Sequence, residues 1–358
     1  MKKIIAINLG STSTKIVYYE DDVCVFADEL QHDILTIKKY NTVWQQKQFR
    51  MDAIIDFINK NDIEIENIDA FTSRGGHTIP IEGGVYEVTE LMLEQSDSEI
   101  YGNHISDVGL QIASDLAKKY NTKAFTVDPP ITDEFEPLAY YSGLPEIKRK
   151  SSMHALNHKA VARKYAIDNN TNYEDLNLVV VHLGGGVSVA AHKKGKMIDG
   201  HNALLGDGPF STNRTGSLPV GDLIKMCYSG EYTYEQMKKK LNGEGGMVAY
   251  VGDNSVLNVY NKAMAGDTKC LEVLNAMVYQ IAKEIGAYAT VLKGQIDAII
   301  MTGGIAKSEY IVNQISERVS YIAPISVYPG EFEMESLAKN SYKALIGEVK
   351  IKKVEDFI

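Results

Sequence analysis

Cysteine is scarce in this chain: Cys24, Cys227 and Cys270 are the only three among 358 residues, and no C-x-x-C pair occurs. An odd set without a pair excludes a disulfide framework and leaves reduced thiols, expected to be mostly buried. Basic residues are outnumbered, with 37 Lys and Arg against 47 Asp and Glu, for a formal charge of -10. Generic nucleic-acid binding rests on neutralising phosphates, so no nucleic-acid partner is expected. A small anion held by a few local cations remains open. No apolar run approaches the length of a membrane span, and the expectation is a cytoplasmic protein with no membrane partner. The opening stretch, Met-Lys-Lys-Ile-Ile-Ala-Ile, imitates a signal peptide, but Asn8 and Gly10 cut its apolar run short. The Walker pattern G-x-x-x-x-G-K-[ST] is missing, as are H-x-x-H and H-E-x-x-H spacings for zinc.

What is present is a repeated device. Lys3 to Tyr19 reads KIIAINLGSTSTKIVYY, and Leu178 to His192 reads LVVVHLGGGVSVAAH. Each is an apolar run, a short polar or glycine turn, and a second apolar run, which predicts a β-hairpin. Ala298 to Ser308, AIIMTGGIAKS, predicts a strand entering a Gly-Gly turn and then a helix. Three Gly/Ser-rich turns, each directly after a buried strand, offer backbone N–H groups to phosphates. They point to a nucleotide held between two related halves.

The chain is long enough for two separate cores. Patterning predicts further strands over 23–29, 68–72, 123–127 and 325–328. Helices are predicted over 51–59, 102–120, 151–169, 234–241, 254–265, 269–293 and 335–347. A strand meander followed by alternating helices and strands in each half fits α/β domains with mixed sheets. The boundary is expected near residues 145–175.

In the first turn, Gly10 lets backbone approach a ligand, Ser11 and Ser13 offer hydroxyls, and Lys15 adds charge. An ordinary polar hairpin tip is the alternative. Gly184-Gly185-Gly186 should be required by something, because three glycines weaken a hairpin. His182 beside them is open between a satisfied core residue and a catalyst. Arg74 precedes Gly75-Gly76 and Arg214 precedes Thr215-Gly216; each is a planar fork suited to carboxylates and phosphates, or a solvated surface residue. Asp128 ends a predicted strand, where open α/β sheets bind ligands, or merely shapes a turn before Pro129-Pro130. Glu331, Glu333 and Glu335 hold a metal or face water.

With these residues in view, the chain resembles the acetate/butyrate kinase family over nearly its whole length. That family belongs with the sugar kinases, actin and the heat-shock ATPases, and the butyrate and branched-chain fatty-acid branch is the nearest. The resemblance is carried by NLGSTSTK at 8–15, Arg74-Gly75-Gly76, DPPITDEFEP at 128–137 and HALNHKAVA at 154–162. HLGGGVS at 182–188, PFSTNRTGSLPVGDL at 209–223 and Gly303-Gly304-Ile305 complete it. It departs at Leu9, where such kinases tend to have Pro, and at Pro130-Ile131-Thr132, near the acyl site.

The resemblance implies a duplicated ribonuclease-H-like two-domain α/β fold. The first domain would span 1–155, with 335–358 packing back on it, and the second, nucleotide-binding domain 156–334. It implies ATP or ADP with Mg²⁺ in the interdomain cleft, and reversible transfer of the γ-phosphoryl group to a short or branched fatty acid, giving an acyl phosphate. Asn8, Gly10, Ser11, Ser13 and Lys15 match the first phosphate loop. Arg74 and Arg214 match the arginines that hold the carboxylate and the transferring group, which His182, beside Gly184, Gly185 and Gly186, steadies. Asp128 matches the active-site aspartate. Gly303, Gly304 and Ile305 match the adenosine-side loop, and Glu333 or Glu331, with Asn8, the metal position. A homodimer or higher assembly is implied as well. Acetate or propionate kinase, a non-catalytic ATP-binding switch and a sugar kinase are the competing readings. A sugar kinase needs an Asp base, which Asp128 keeps open, whereas two arginines favour an anionic acceptor.

Overall fold

The structure, a computed structural model, describes residues 1–358. Its strands are β1 (Lys3–Leu9), β2 (Ser13–Glu20), β3 (Val23–Gln31), β4 (Ala70–Ser73), β5 (Val85–Glu87) and β6 (Lys123–Val127). The remaining strands are β7 (Asn177–Leu183), β8 (Val187–Lys193), β9 (Lys196–Gly200), β10 (Ala298–Gly303), β11 (Ile325–Pro329) and β12 (Ile351–Lys352). The chain divides into two units: Met1–Asp133 with Phe332–Ile358, and Glu134–Glu331. The first crossing therefore lies upstream of the 145–175 stretch.

The first unit carries a seven-stranded sheet in the order β12-β5-β6-β4-β1-β2-β3. β1, β2 and β3 form an antiparallel meander, while β4 runs parallel to β1 and β6 parallel to β4. β1 is buried from Ile4 through Leu9, as expected of a central strand covered on both faces, whereas β3 is a largely exposed edge. Ile5, Ile7, Leu9, Phe71 and Ile16 from the sheet pack with Ile54, Phe57, Val108, Ile112 and Leu116 from the helices Lys47–Lys60 and Ile105–Lys119.

The second unit has a five-stranded sheet, β11-β10-β7-β8-β9. β7, β8 and β9 are again an antiparallel meander, with β10 parallel to β7 and β11 parallel to β10. The order β3-β2-β1-β4-β6 in one unit thus repeats as β9-β8-β7-β10-β11 in the other. The helix Thr268–Val291 buries Leu274, Met277, Ile281 and Ile285, spaced three or four apart, against Val179, Val181 and Val189.

Three expectations are corrected. The helix expected from residue 151 begins at Ala155, because the His154 backbone is not helical and its ring bonds Ser188 Oγ instead of capping. The Gly-Gly turn after β10 continues as a short 3-10 turn, and the helix proper, Glu309–Val319, starts where Ser308 caps it. The thiols are not mostly buried: Cys24, on the edge strand, and Cys227 are exposed, and only Cys270 is buried. No helix is long and apolar enough to cross a membrane.

Candidate active site

On the first unit, Asn8 near the end of β1 faces Lys15 across the hairpin, so the two side chains share a face of the sheet. The Asn8 amide nitrogen donates to Glu333 Oε2 at 2.7 Å, and Arg74 Nη1 stands 3.8 Å from that same oxygen. Asn8 and Glu333 are each 5% exposed. Glu333 opens the helix Glu333–Leu345, where the helix dipole favours a carboxylate. Glu331 is exposed and lies in the second unit.

Arg74 follows β4, and its N–H donates to Ile7 O at 3.1 Å. The turn beyond it is shaped by buried Asp107. One Asp107 oxygen accepts from the N–H groups of Gly76 (2.9 Å) and His77 (3.3 Å), and the other lies 2.7 Å from His77 Nδ1. A Cβ on Gly75 would stand 2.6 Å from Ser106 O, so the chain passes the helix too closely for a larger residue. Asp128 leaves β6 in the left-handed region, with φ +41°, and is locked to Gly84 by two 2.9 Å bonds, N–H to Gly84 O and Oδ1 from Gly84 N–H. In the hairpin tip, Gly10 N–H donates to Ser13 O at 2.9 Å, and Ser11 is exposed.

The second unit explains two of its three glycines. His182, near the end of β7, is 3% exposed, and a Cβ on Gly184 would lie 2.7 Å from its Nε2. A Cβ on Gly186 would collide with the Arg214 guanidinium, whose Nη1 also donates to Ala203 O at 2.8 Å. The Gly185 carbonyl accepts from the hydroxyls of Ser211 (2.8 Å) and Thr212 (3.2 Å), tying the turn to the Arg214 loop. Two of the glycines therefore leave room for the side chains of His182 and Arg214. His182 Nδ1 lies 2.8 Å from the Asn157 amide nitrogen, and its ring stacks on His154 at 3.9 Å. Gly303 sits at φ +95°, against the Leu183 carbonyl, and pairs with Gly330 through two backbone bonds. Gly304 beside it is exposed and Ile305 half-buried.

Asn8, Arg74 and Glu333 thus come together, as do His182, Gly184, Gly186 and Arg214. Reading by sequence missed Asp107, Asn157, His154 and Arg50. His154 and Asn157 lie inside HALNHKAVA, so a signal was present. Asp107 and Arg50 have none, because the turns they shape are 30 or more residues away, at His77 and at Thr14. No cluster of three or more His, Cys, Asp or Glu stands ready to hold a metal. One carboxylate with one amide suits Mg²⁺, which keeps waters and takes phosphate oxygens, better than a cation that needs an all-protein cage.

The duplicated sheet defines a two-domain kinase-like fold, and solved structures share it. The acetate kinase of Porphyromonas gingivalis matches with a TM-score of 0.77 at 17% identity, over 97% of this chain and 100% of that one. A propionate kinase from Francisella tularensis matches at 0.74 and 17%, over 95% and 99%. Residues 137–341 match the Acetokinase family. Butyrate kinase 2 of Clostridium acetobutylicum is 46% identical over 351 residues, 98% of this chain and 99% of that protein. Butyrate kinase 1 of the same organism is 47% identical over 352 residues, again 98% and 99%. The chain belongs to the acetokinase family.

Proposed function

We propose that the protein is a cytoplasmic butyrate kinase, moving the γ-phosphoryl group of ATP reversibly to the carboxylate of butyrate or a similar short or branched acid. The observation that carries this reading is the 46–47% identity to butyrate kinases over 98% of the chain. The chemistry agrees. A fatty acid has a pKa near that of Glu, roughly 4 to 5, so it is already ionised at neutral pH and needs no general base. A carboxylate oxygen attacks the γ-phosphorus, the bond from that phosphorus to the bridging oxygen breaks, and ADP leaves with the electron pair.

The difficulty is bringing one anion against another, which is solved by positioning and charge neutralisation. Arg74 and Arg214 are assigned to the carboxylate and the transferring group. His182 is assigned to an equatorial phosphoryl oxygen through Nε2. Asn8, Gly10, Ser11, Ser13 and Lys15 form a phosphate loop. Gly184, Gly185, Gly186, Gly303, Gly304 and Ile305 are assigned to the nucleotide within the unit Glu134–Glu331, and Asp128 to the active site as an orienting carboxylate. Glu333 with Asn8 would hold Mg²⁺, which when bound supplies positive charge to the nucleotide phosphates. Self-association is part of the proposal: the helix Val220–Cys227 buries none of its residues and exposes Val220 and Ile224.

The test is acyl phosphate formation from Mg-ATP, trapped with hydroxylamine, across acetate, propionate, butyrate, isobutyrate, valerate and glucose. Highest kcat/KM at butyrate or isobutyrate is the expected result. A peak at acetate would move the protein to the sibling activity. ATP binding without product from any acid would make it a nucleotide-dependent switch.

A further inference from the structure

Arg50 lies on the helix Lys47–Lys60 and is 0% exposed. Arginine is seldom fully buried without a carboxylate. Here every acceptor is neutral. Nη1 donates to Ser13 O (2.7 Å) and Thr14 Oγ1 (2.9 Å), and Nη2 donates to Gly10 O (3.1 Å) and Ser11 O (3.2 Å). Nε (3.2 Å) and Nη2 (3.0 Å) both donate to Gln46 Oε1. Burial pulls the guanidinium down to about 10, which leaves it charged at neutral pH. The nearby histidine does not supply a counter-charge: His32, whose Nε2 lies 2.8 Å from Thr14 Oγ1, is held below its usual range by burial and by Arg50 itself.

The fork also sets the direction of the turn. All peptides here are trans, so each carbonyl and the following N–H point opposite ways. With the carbonyls of Gly10 and Ser11 drawn onto Arg50, the N–H groups of Ser11 and Thr12 point away from it, and neither donates to a backbone acceptor. The result is a pair of outward N–H groups backed by a buried, unneutralised cation. Such a nest is an anion site, and its missing negative charge must come from outside the fold.

We propose that Arg50 is a positioning residue for the nucleotide phosphates: it orients the 10–13 turn from beneath, and its charge is completed by the bound anion. This rests on the assignment of that turn to the phosphates, made above. The decisive variant is Gln46→Glu, which keeps the shape and every Arg50 contact but gives the cation a carboxylate partner. Binding of Mg-ADP is measured by calorimetry, independently of any acyl acceptor, alongside thermal melting and KM for ATP and for butyrate.

The expected result is a melting temperature equal to or above wild type, at least a five-fold loss of ADP affinity, a matching rise in KM for ATP, and a KM for butyrate within two-fold. Arg50→Lys, retaining charge without the fork, should lose less affinity than Arg50→Met. Wild-type ADP affinity in a folded Gln46→Glu protein would overturn the electrostatic role, and equal rises in both KM values would reduce Arg50 to a structural residue. If the wild type bound ADP but phosphorylated no acid, the butyrate assignment would fail while the affinity comparison still decided the role of Arg50.

Discussion

Asn8 and Glu333 are 325 residues apart in sequence, and their side chains meet at 2.7 Å in a buried hydrogen bond. The bond ties the end of the first strand of the sheet to the first turn of a helix near the C-terminus, with Arg74 Nη1 3.8 Å from the same carboxylate oxygen. Glu333→Gln keeps the shape and removes the charge. Turnover should fall by about 10²- to 10³-fold, the loss typical of one charge-stabilising contact. The Mg²⁺ concentration for half-maximal rate should rise with it. Initial rates across a Mg²⁺ series check this; an unchanged Mg²⁺ dependence would remove Glu333 from the metal position.

Gly186 and Arg214 should behave as one unit, because a Cβ on Gly186 would strike the guanidinium. Arg214→Lys keeps the charge but loses the planar fork. Gly186→Ala keeps the arginine and displaces it. Each is expected to cost about 2 to 4 kcal/mol in kcat/KM for the acid. The double variant should be little worse than the poorer single one, a coupling of about 2 to 3 kcal/mol, at the upper end for residues in contact. Strict additivity in the four-enzyme comparison would show that the glycine serves some other purpose.

The parts of the fold that were legible in the sequence are the local ones. Both hairpins, the strand before Gly303-Gly304 and the long helix Thr268–Val291 follow from runs of Ile and Val, from turn residues, and from helical spacing of apolar positions. The glycines at 184 and 186 were recognisable as required, but not why: the atoms they admit belong to His182 two residues before and to Arg214 far beyond. Asp107, which shapes the Arg74 turn, and Arg50, which seats the first turn, look like ordinary helix residues until the sheet brings their partners to them. The start of the helix at Ala155 was misjudged because His154 spends its ring on Ser188 instead of on the helix end.

The proton on His182 can be assigned from its neighbours. The Thr302 hydroxyl donates to Gly330 O at 3.1 Å, so its oxygen accepts from the Asn157 amide nitrogen at 3.4 Å. That same nitrogen faces His182 Nδ1 at 2.8 Å, so Nδ1 is the acceptor and Nε2, toward Gly184, carries the proton. Asn157→Asp would invert this. A carboxylate there draws a proton onto Nδ1 and favours the imidazolium. At low pH Nε2 still donates; as pH rises through the new imidazolium pKa, Nε2 loses its proton and turnover drops. The ratio of kcat at pH 6 to kcat at pH 8 should exceed the wild-type ratio by about ten-fold, one pKa unit's worth. Nitrogen chemical shifts of His182 would report the tautomer directly, and an unaltered pH profile would sink the assignment.

Beneath His182 runs a buried chain: Tyr173 Oη to His192 Nδ1 (2.7 Å), His192 Nε2 to His158 Nδ1 (3.3 Å), His158 Nε2 to Ser188 Oγ (2.8 Å), and Ser188 Oγ to His154 Nδ1 (2.8 Å). Burial pushes His158 and His192 well below the usual imidazole range, with the histidine and lysine charges around them acting in the same direction. Both are therefore neutral in the folded protein, while the unfolded chain takes up protons near pH 6.5. Their contribution to stability is complete above that pH and is lost as pH falls below it toward the depressed folded values. Each can add a slope of up to about 1.4 kcal/mol per pH unit. Unfolding free energies from urea titrations between pH 7.5 and 5 should be flat at first and then decline. His192→Asn removes one of the two proton sites, so its decline should be shallower than that of the wild type whatever its stability at pH 7.5. Parallel curves for the two proteins would mean that the buried histidines are not what limits the fold in acid.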